Sequence, residues 1–283
     1  MKILSFDIEE WFHLLDLDAT KTEADWEKYP KRIHENMDRI MAVLDNNGQK
    51  ATFFCLGWVA RKYPEVIRDI VDRGHEIATH SDLHQLAYTQ DRKAFENDLS
   101  TSIQSLEDCS GQKIRAYRAP GFSLKKENKW VFEVLQKNGI EIDCSVFPAK
   151  RAHGGFEEFG LAQPCWVESD GIRLKEFPIN LHSQFGQNLI FSGGGYFRLF
   201  PQSLLHSLFA KSDYVMTYFH PRDFDAKQPM IPELSTIRKF KSYYGLKGCM
   251  SKLEHIIREF ELIDLKTADE QVNWETAKVV QLD

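Results

Sequence analysis

Two histidines four positions apart, His80 and His84, stand in the run Ala78-Thr79-His80-Ser81-Asp82-Leu83-His84. On one side of a helical turn, or of a loop entering a helix, that spacing turns both imidazoles toward one point, which suits a metal ion. Zinc sites that keep an open position usually take a third protein ligand, most often a carboxylate. Phe6-Asp7-Ile8-Glu9, at the end of the first apolar run, offers one. Arg118, Asp143 and His220 each follow another expected strand. Singly, each has an ordinary reading: a helix-capping carboxylate, a surface ion pair, a turn histidine. Five strand ends bringing polar groups to one rim of a parallel barrel mark the place where barrel active sites lie.

The elements that must position these groups follow from periodicity. Residues 2–6 read as a buried strand, residues 31–47 as a helix with Ile33, Met37, Ile40, Met41 and Leu44 on one face, and residues 50–55 as a second strand. Residues 58–73 are expected as one helix ending at Gly74, and residues 75–78 as the strand that delivers the histidine pair. Helices over 92–108 and 126–138 alternate with strands over 114–118 and 140–143. From about 149 to 200 the rhythm breaks into a glycine-rich, aromatic excursion, with short strand candidates at 173–177 and 189–191. A helix over 201–211, a strand over 214–219 ending in His220, a helix over 253–260 and a closing strand over 262–265 complete the chain. Strand–helix alternation predicts a parallel α/β sheet or barrel, in one domain over residues 1–283.

The totals exclude several classes. A net charge of −6 over 283 residues, with lysine and arginine spread along the chain, leaves no basic footprint for nucleic acid. No apolar run approaches a membrane span. The five cysteines, 55, 109, 144, 165 and 249, are odd in number and far apart, and the first residues hold no apolar signal region. Both features set the expectation of a cytoplasmic protein with reduced thiols.

The motifs Ser5 to Glu9 (SFDIE), His80 to His84 (HSDLH), Arg118 to Gly121 (RAPG), Asp143 to Ser145 (DCS) and Phe219 to Pro221 (FHP) occur in the order seen in the polysaccharide deacetylases of carbohydrate esterase family 4. The chain resembles that family over about residues 1 to 265, and Gly193 to Pro201 is similar to a subgroup linked to surface-glycan synthesis. The resemblance implies a distorted (β/α)7 barrel of the NodB-homology type, with the irregular insertion at 149–200. It implies a divalent metal, zinc first, with cobalt, nickel, iron or manganese tolerable, held by Glu9, His80 and His84. Asp7 is then the general base, paired with Arg118. The Gly121 N–H would face the oxyanion, and His220 is the general acid. The substrate implied is an N-acylated sugar, and in the expected cytoplasmic setting it would be a nucleotide-linked or lipid-linked glycan precursor.

This chain departs from the commonest family pattern in three places, one of them Arg222 and Asp223 after His220-Pro221, where many relatives carry an aromatic and an acid next to the substrate pocket. The acidic residues are Asp7, Glu9 and Glu10, not adjacent aspartates; Glu9 is the expected ligand because alternate strand residues share a face, and Glu10 is the weaker option. The usual partner of the acid histidine is not recognisable, leaving Asp143 or Asp223 to fill that role. Tyr196, Arg198 and Asp143 are candidate substrate contacts, against a tight glycine turn as the plain reading of the 193–198 stretch. His13, His153 and His182 read more simply as solvated turn residues, Trp11 and Trp166 as core, and Cys55 and Cys144 as unactivated thiols. Two other functions compete: an allantoinase-like cyclic amide hydrolase, which can dispense with the metal, and a non-catalytic glycan-binding barrel.

Overall fold

The computed structural model describes residues 1–282 except 16, 152, 170, 185 and 186. Strands Ser5–Ile8, Thr52–Cys55, Glu76–Thr79, Ala116–Tyr117, Ile142–Asp143 and Ile172–Glu176 lie side by side in that order, all parallel. The first two are buried along their whole length, as expected where helices cover a parallel sheet from outside. On the other side of Ser5–Ile8, Phe6 bridges Phe219 in parallel, and Tyr218 in turn bridges Gly193. The Asp7 N–H donates to the Phe219 carbonyl at 2.7 Å, which brings the chain just before His220 beside the carboxylate. Among the described residues no bridge joins Gly193 back to Ile172–Glu176, so the barrel is distorted and its ladder open.

The outer helices bury the faces that periodicity marks. Helix Ile33–Asn46 buries Ile33, Met37, Ile40, Met41 and Leu44. Helix Arg92–Ser110 starts with the Asp91 side chain accepting from Ala94 N at 2.8 Å and ends at Gly111 in the left-handed region.

Several expected elements take another form. The single helix over 58–73 is two, Gly57–Lys62 and Pro64–Asp72, because Pro64 has no N–H to give and holds Tyr63 out of helical geometry. The closing strand over 262–265 shrinks to one bridge, Ile3 to Ile263. Asp264 instead caps helix Leu265–Gln271, accepting from Thr267 N at 2.8 Å. The helix placed at 253–260 begins earlier, at Leu246. Strand Gln187–Leu189 forms in place of 189–191, antiparallel to His182–Gln184. Strand Cys165–Ser169 and helices Gly194–Leu199 and Thr236–Tyr243 fall where no element was expected. The first of these runs antiparallel to Ile172–Glu176 and takes strand Val279–Gln281 as its parallel neighbour, so the chain's end extends the sheet.

Candidate active site

The histidine loop is not a helical turn. Ser81 and His84 both have positive φ, 72° and 55°, a conformation that needs outside support in non-glycine residues. Support comes from side chains of helix Arg92–Ser110, half-buried Asp98 and buried Ser102. Asp98 accepts from Asp82 N at 2.9 Å and Leu83 N at 3.1 Å, and Ser102 Oγ donates to the Ser81 carbonyl at 2.9 Å. Arg61 clamps the Asp82 carboxylate with two donors. Gly57 is required here, since a Cβ would lie 2.3 Å from Asp82 Oδ1 and 2.7 Å from Ser102 Cα.

Held this way, the loop brings His80 and His84 to Glu9, with one ligand-type atom from each lying within 4.8 Å of the others. His80 Nδ1 lies 2.8 Å from the Arg118 carbonyl, the contact that fixes the tautomer and leaves Nε2 its lone pair. Burial drives His80 down to about 4, against the pull of Asp7, so the ring is neutral near pH 7. Glu9 Oε2 is buried, 2.7 Å from His84 Nε2, yet makes no well-directed hydrogen bond. Burial pushes the Glu9 carboxyl up, and His84 beside it outweighs this, so the group stays well below the usual carboxylate range. Two imidazole nitrogens and an under-bonded buried carboxylate oxygen, gathered within 4.8 Å of one another, are a donor set that fits a divalent metal. Glu10 serves another purpose: its carboxylate accepts from Arg32 N at 2.9 Å and Ile33 N at 3.2 Å, capping helix Ile33–Asn46.

Asp7 sits beside this cluster, fully buried. Arg118 Nη1 donates to its Oδ1 at 2.7 Å, and Nη2 donates to Ser5 Oγ at 2.9 Å. The guanidinium lies over the Phe54 ring at 3.9 Å. Burial pushes the Asp7 carboxyl up, but Arg118 first, with His80 and His220, overcomes it and holds the group below its ordinary value. Facing it, His220 Nε2 is 3.7 Å from Asp7 Oδ2. His220 Nδ1 is 3.2 Å from Asp223 Oδ2, and Asp223 Oδ1 is 3.0 Å from Arg198 Nε. Burial alone would lower the imidazole, yet Asp223, Glu9 and Asp7 raise it to about 9.

A cleft of about 700 Å³ opens over these groups and is also lined by Gly121, Arg151, Tyr196 and Arg222. Gly121 has φ 62°, and a Cβ on it would come within 2.7 Å of Leu15 Cδ1. Three expectations need correction. Asp143 is not in the cleft; it accepts from Ser145 N at 3.2 Å, and its Oδ1 is held by Ser145 Oγ, beside buried Glu176. The partner of His220 is therefore Asp223. Arg198 borders the cleft, but its guanidinium is turned inward. Its Nη1 donates to the Ser242 and Tyr244 carbonyls and its Nη2 to that of Lys241, each at 2.9 Å, while its Nε faces Asp223.

His13 is the third: it is buried, pushed down to about 3 by burial, and packs 4.3 Å from the Trp26 ring while lining the cleft. His153 lines the cleft as well, whereas His182 does not. Trp11 is core, its Nε1 donating to the Pro30 carbonyl at 2.9 Å, and Trp166 stands away from the cleft against Trp274. Cys55 and Cys144 are buried thiols pushed well above their ordinary value, which makes them inert. Asp98 and the inward role of Arg198 were not read from the sequence, whereas Arg222 was marked there as bearing on the pocket and does line the cleft. Only the acid of Asp98 at helical spacing behind the loop was a usable signal.

Residues 25–142 match the family model described as polysaccharide deacetylase, and residues 144–270 match a domain of unknown function, DUF3473. A peptidoglycan-N-acetylglucosamine deacetylase of Bacillus cereus is 29% identical over 96 residues, 34% of this chain and 35% of that protein. A peptidoglycan deacetylase of Helicobacter pylori is 27% identical over 108 residues, 38% of this chain and 36% of that protein. The chain thus spans about a third of the length of the curated relatives it matches. Among solved structures, a polysaccharide deacetylase from Mycobacterium smegmatis superposes with a TM-score of 0.67 at 18% identity, covering 98% of this chain and 91% of that one. A family 4 carbohydrate esterase from Streptomyces lividans does so at 0.50 and 12% identity, covering 93% and 90%. Over residues 25–142 the chain is similar to the polysaccharide deacetylase family, and over residues 144–270 to the undefined domain.

Proposed function

We propose that this chain is a metal-dependent hydrolase that removes an N-acyl group, N-acetyl first, from an amino sugar. The observation that carries the reading is the juxtaposition, inside one cleft, of a two-histidine, one-glutamate donor set with an ionised aspartate and a protonated histidine. Glu9, His80 and His84 would hold the cation. A divalent metal bound there supplies a Lewis acid for the amide carbonyl and lowers the pKa of water.

The chain's own groups do the proton work. Asp7, kept ionised by Arg118, takes the proton from the water whose oxygen attacks the amide carbon. The Gly121 N–H, at a left-handed turn facing the cleft, is aimed at the developing oxyanion. As the C–N bond breaks, the electron pair stays on nitrogen, and His220 gives its Nε2 proton to the departing amine. A carboxylic acid and a free amino sugar leave. Asp223 and Arg198 hold His220 in its charged form. Because Asp7, Glu9, the histidine pair and Arg118 come from one half of the chain and His220, Asp223 and Arg198 from the other, residues 1–283 act as one catalytic unit in this reading.

Zinc is the first choice of metal, and the substrate proposed is a glycan precursor carried on a nucleotide or a lipid, as in surface-polysaccharide synthesis. A cytoplasmic site is supported by five free cysteines, four of them buried. The metal-free cyclic amide hydrolase is disfavoured by the complete donor set. The test is elemental analysis of the purified protein combined with acetate release from N-acetylated sugars, repeated on His80→Ala. Near-stoichiometric metal that is lost together with acetate release in the variant upholds the reading; wild-type activity without any divalent metal overturns it.

A further inference from the structure

Helix Thr236–Tyr243 buries none of its eight residues, the apolar Ile237 and Phe240 included. Ile237, Phe240 and Tyr244 follow one another at spacings of three and four, so they share one side of the segment. They are 70%, 54% and 50% exposed, and the Phe240 and Tyr244 rings lie 4.8 Å apart. Met230 at 58%, Leu199 at 46% and Tyr196 at 44% exposure extend the apolar surface. Tyr196, Leu199, Phe240 and Tyr244 also line the rim of the cleft, so the patch runs up to the mouth of the site. An exposed apolar surface of this kind beside a binding cleft marks an interaction face.

Charge selects the partner. Between Lys227 and Lys247 the chain carries five cations, Lys227, Arg238, Lys239, Lys241 and Lys247, against the single acid Glu233, a net +4 inside a chain of net −6. Lysine and arginine flanking exposed aliphatic and aromatic side chains is the composition of an element that lies in the headgroup region of an anionic bilayer. A second copy of this chain, acidic overall, would have to bring an acidic apolar counterpart, and the described surface exposes its large apolar side chains mainly on this patch.

We propose that helix Thr236–Tyr243 and the adjoining Met230 and Leu199 form a docking face for an anionic lipid surface. With this face on the membrane, the mouth of the cleft opens at the headgroup layer. Docking itself does not depend on the deacylase reading. Only the corollary, that the N-acylated substrate is lipid-borne, rests on it, and a vesicle-binding experiment reads no activity, so either can fail alone.

The test is co-sedimentation of the whole chain with phosphatidylcholine vesicles and with vesicles that also contain phosphatidylglycerol, at low and high salt. Binding to the anionic vesicles should exceed binding to the neutral ones by about tenfold or more and fall with added salt. Ile237→Glu/Phe240→Glu and Lys239→Glu/Lys241→Glu should each weaken it on the order of tenfold, with circular dichroism and Tm unchanged because no side chain of the helix is buried. The lipid and salt dependence of the wild-type chain judges the proposal even if a variant misfolds. Absence of binding to anionic vesicles, equal binding to both kinds, or folded variants that bind like wild type would overturn it. So would a concentration-dependent dimer that disappears in Ile237→Glu/Phe240→Glu while vesicles bind neither protein, which would give the face to a second copy.

Discussion

Two buried arginine–aspartate pairs stand on either side of the cleft, and they act in opposite directions. Arg118 touches Asp7 directly, and the carboxylate it stabilises lines the cleft. Arg198 touches Asp223, whose other oxygen faces His220 Nδ1, so the stabilised charge is passed to an imidazole. The same elementary ion pair therefore keeps one group deprotonated and holds the other protonated up to about 9. What differs is whether a titratable ring stands between the carboxylate and the cleft. Acid and base in one site are told apart by such opposed environments. Their supports differ too. Arg118 sits at a strand end and lies on Phe54, whereas Arg198 sits on a short helix and gives its remaining donors to the last carbonyls of helix Thr236–Tyr243 and its cap. A cation at a helix C-terminus is favourably placed.

Breaking the first pair should do the most damage. Arg118→Ala leaves Asp7 as a buried, uncompensated charge and should destabilise the protein by about 3–5 kcal/mol, read as a fall in Tm together with loss of activity. Asp7→Asn removes the base and spares the packing; acetate release should drop by about 10²–10⁴-fold with metal content retained, as elemental analysis of the same sample checks. On the second side, His220 should make stability depend on pH. Its folded value of about 9 lies above the ordinary 6.5, so its contribution is complete below about 6.5 and is lost as pH rises through about 9. Thermal unfolding across that range should show a decline that His220→Asn lacks. The mildest change is at Glu10. Glu10→Gln weakens a helix cap by about 1 kcal/mol and should leave metal content untouched, whereas Glu9→Gln should lower it; equal metal loss in the two would mean that the ligand was assigned to the wrong glutamate.

The sequence carried more of the first side of the site than of the second. Asp7, Glu9, His80, His84 and Arg118 follow strands whose apolar runs announce their ends, and a parallel sheet forces strand ends to one rim. His220 was legible for the same reason. The brace behind it was not, because Arg198 reaches Asp223 from a helix in the glycine-rich stretch, where no periodicity reveals what a side chain will face. Asp143 looked equivalent to Asp7, since each ends a strand; the ladder places it against Glu176, a pairing across strands far apart in sequence. Local signals failed in the same manner for the helix broken at Pro64, where a single ring overrode a continuous amphipathic pattern. They failed again for Thr236–Tyr243, whose apolar face turns out to cover no core.

The contrast between the two pairs is tested most directly by the pH–rate profile of kcat/KM for acetate release in wild type and Asp223→Asn. The wild-type rate should fall as pH rises through about 9, where His220 gives up its proton. With Asp223 neutralised, that alkaline limb should move to lower pH, toward the ordinary histidine value, while the acidic limb governed by Asp7 stays in place. An alkaline limb that does not move in a folded, metal-replete Asp223→Asn protein would contradict the assignment of His220 as the acid held charged by the Arg198–Asp223 pair.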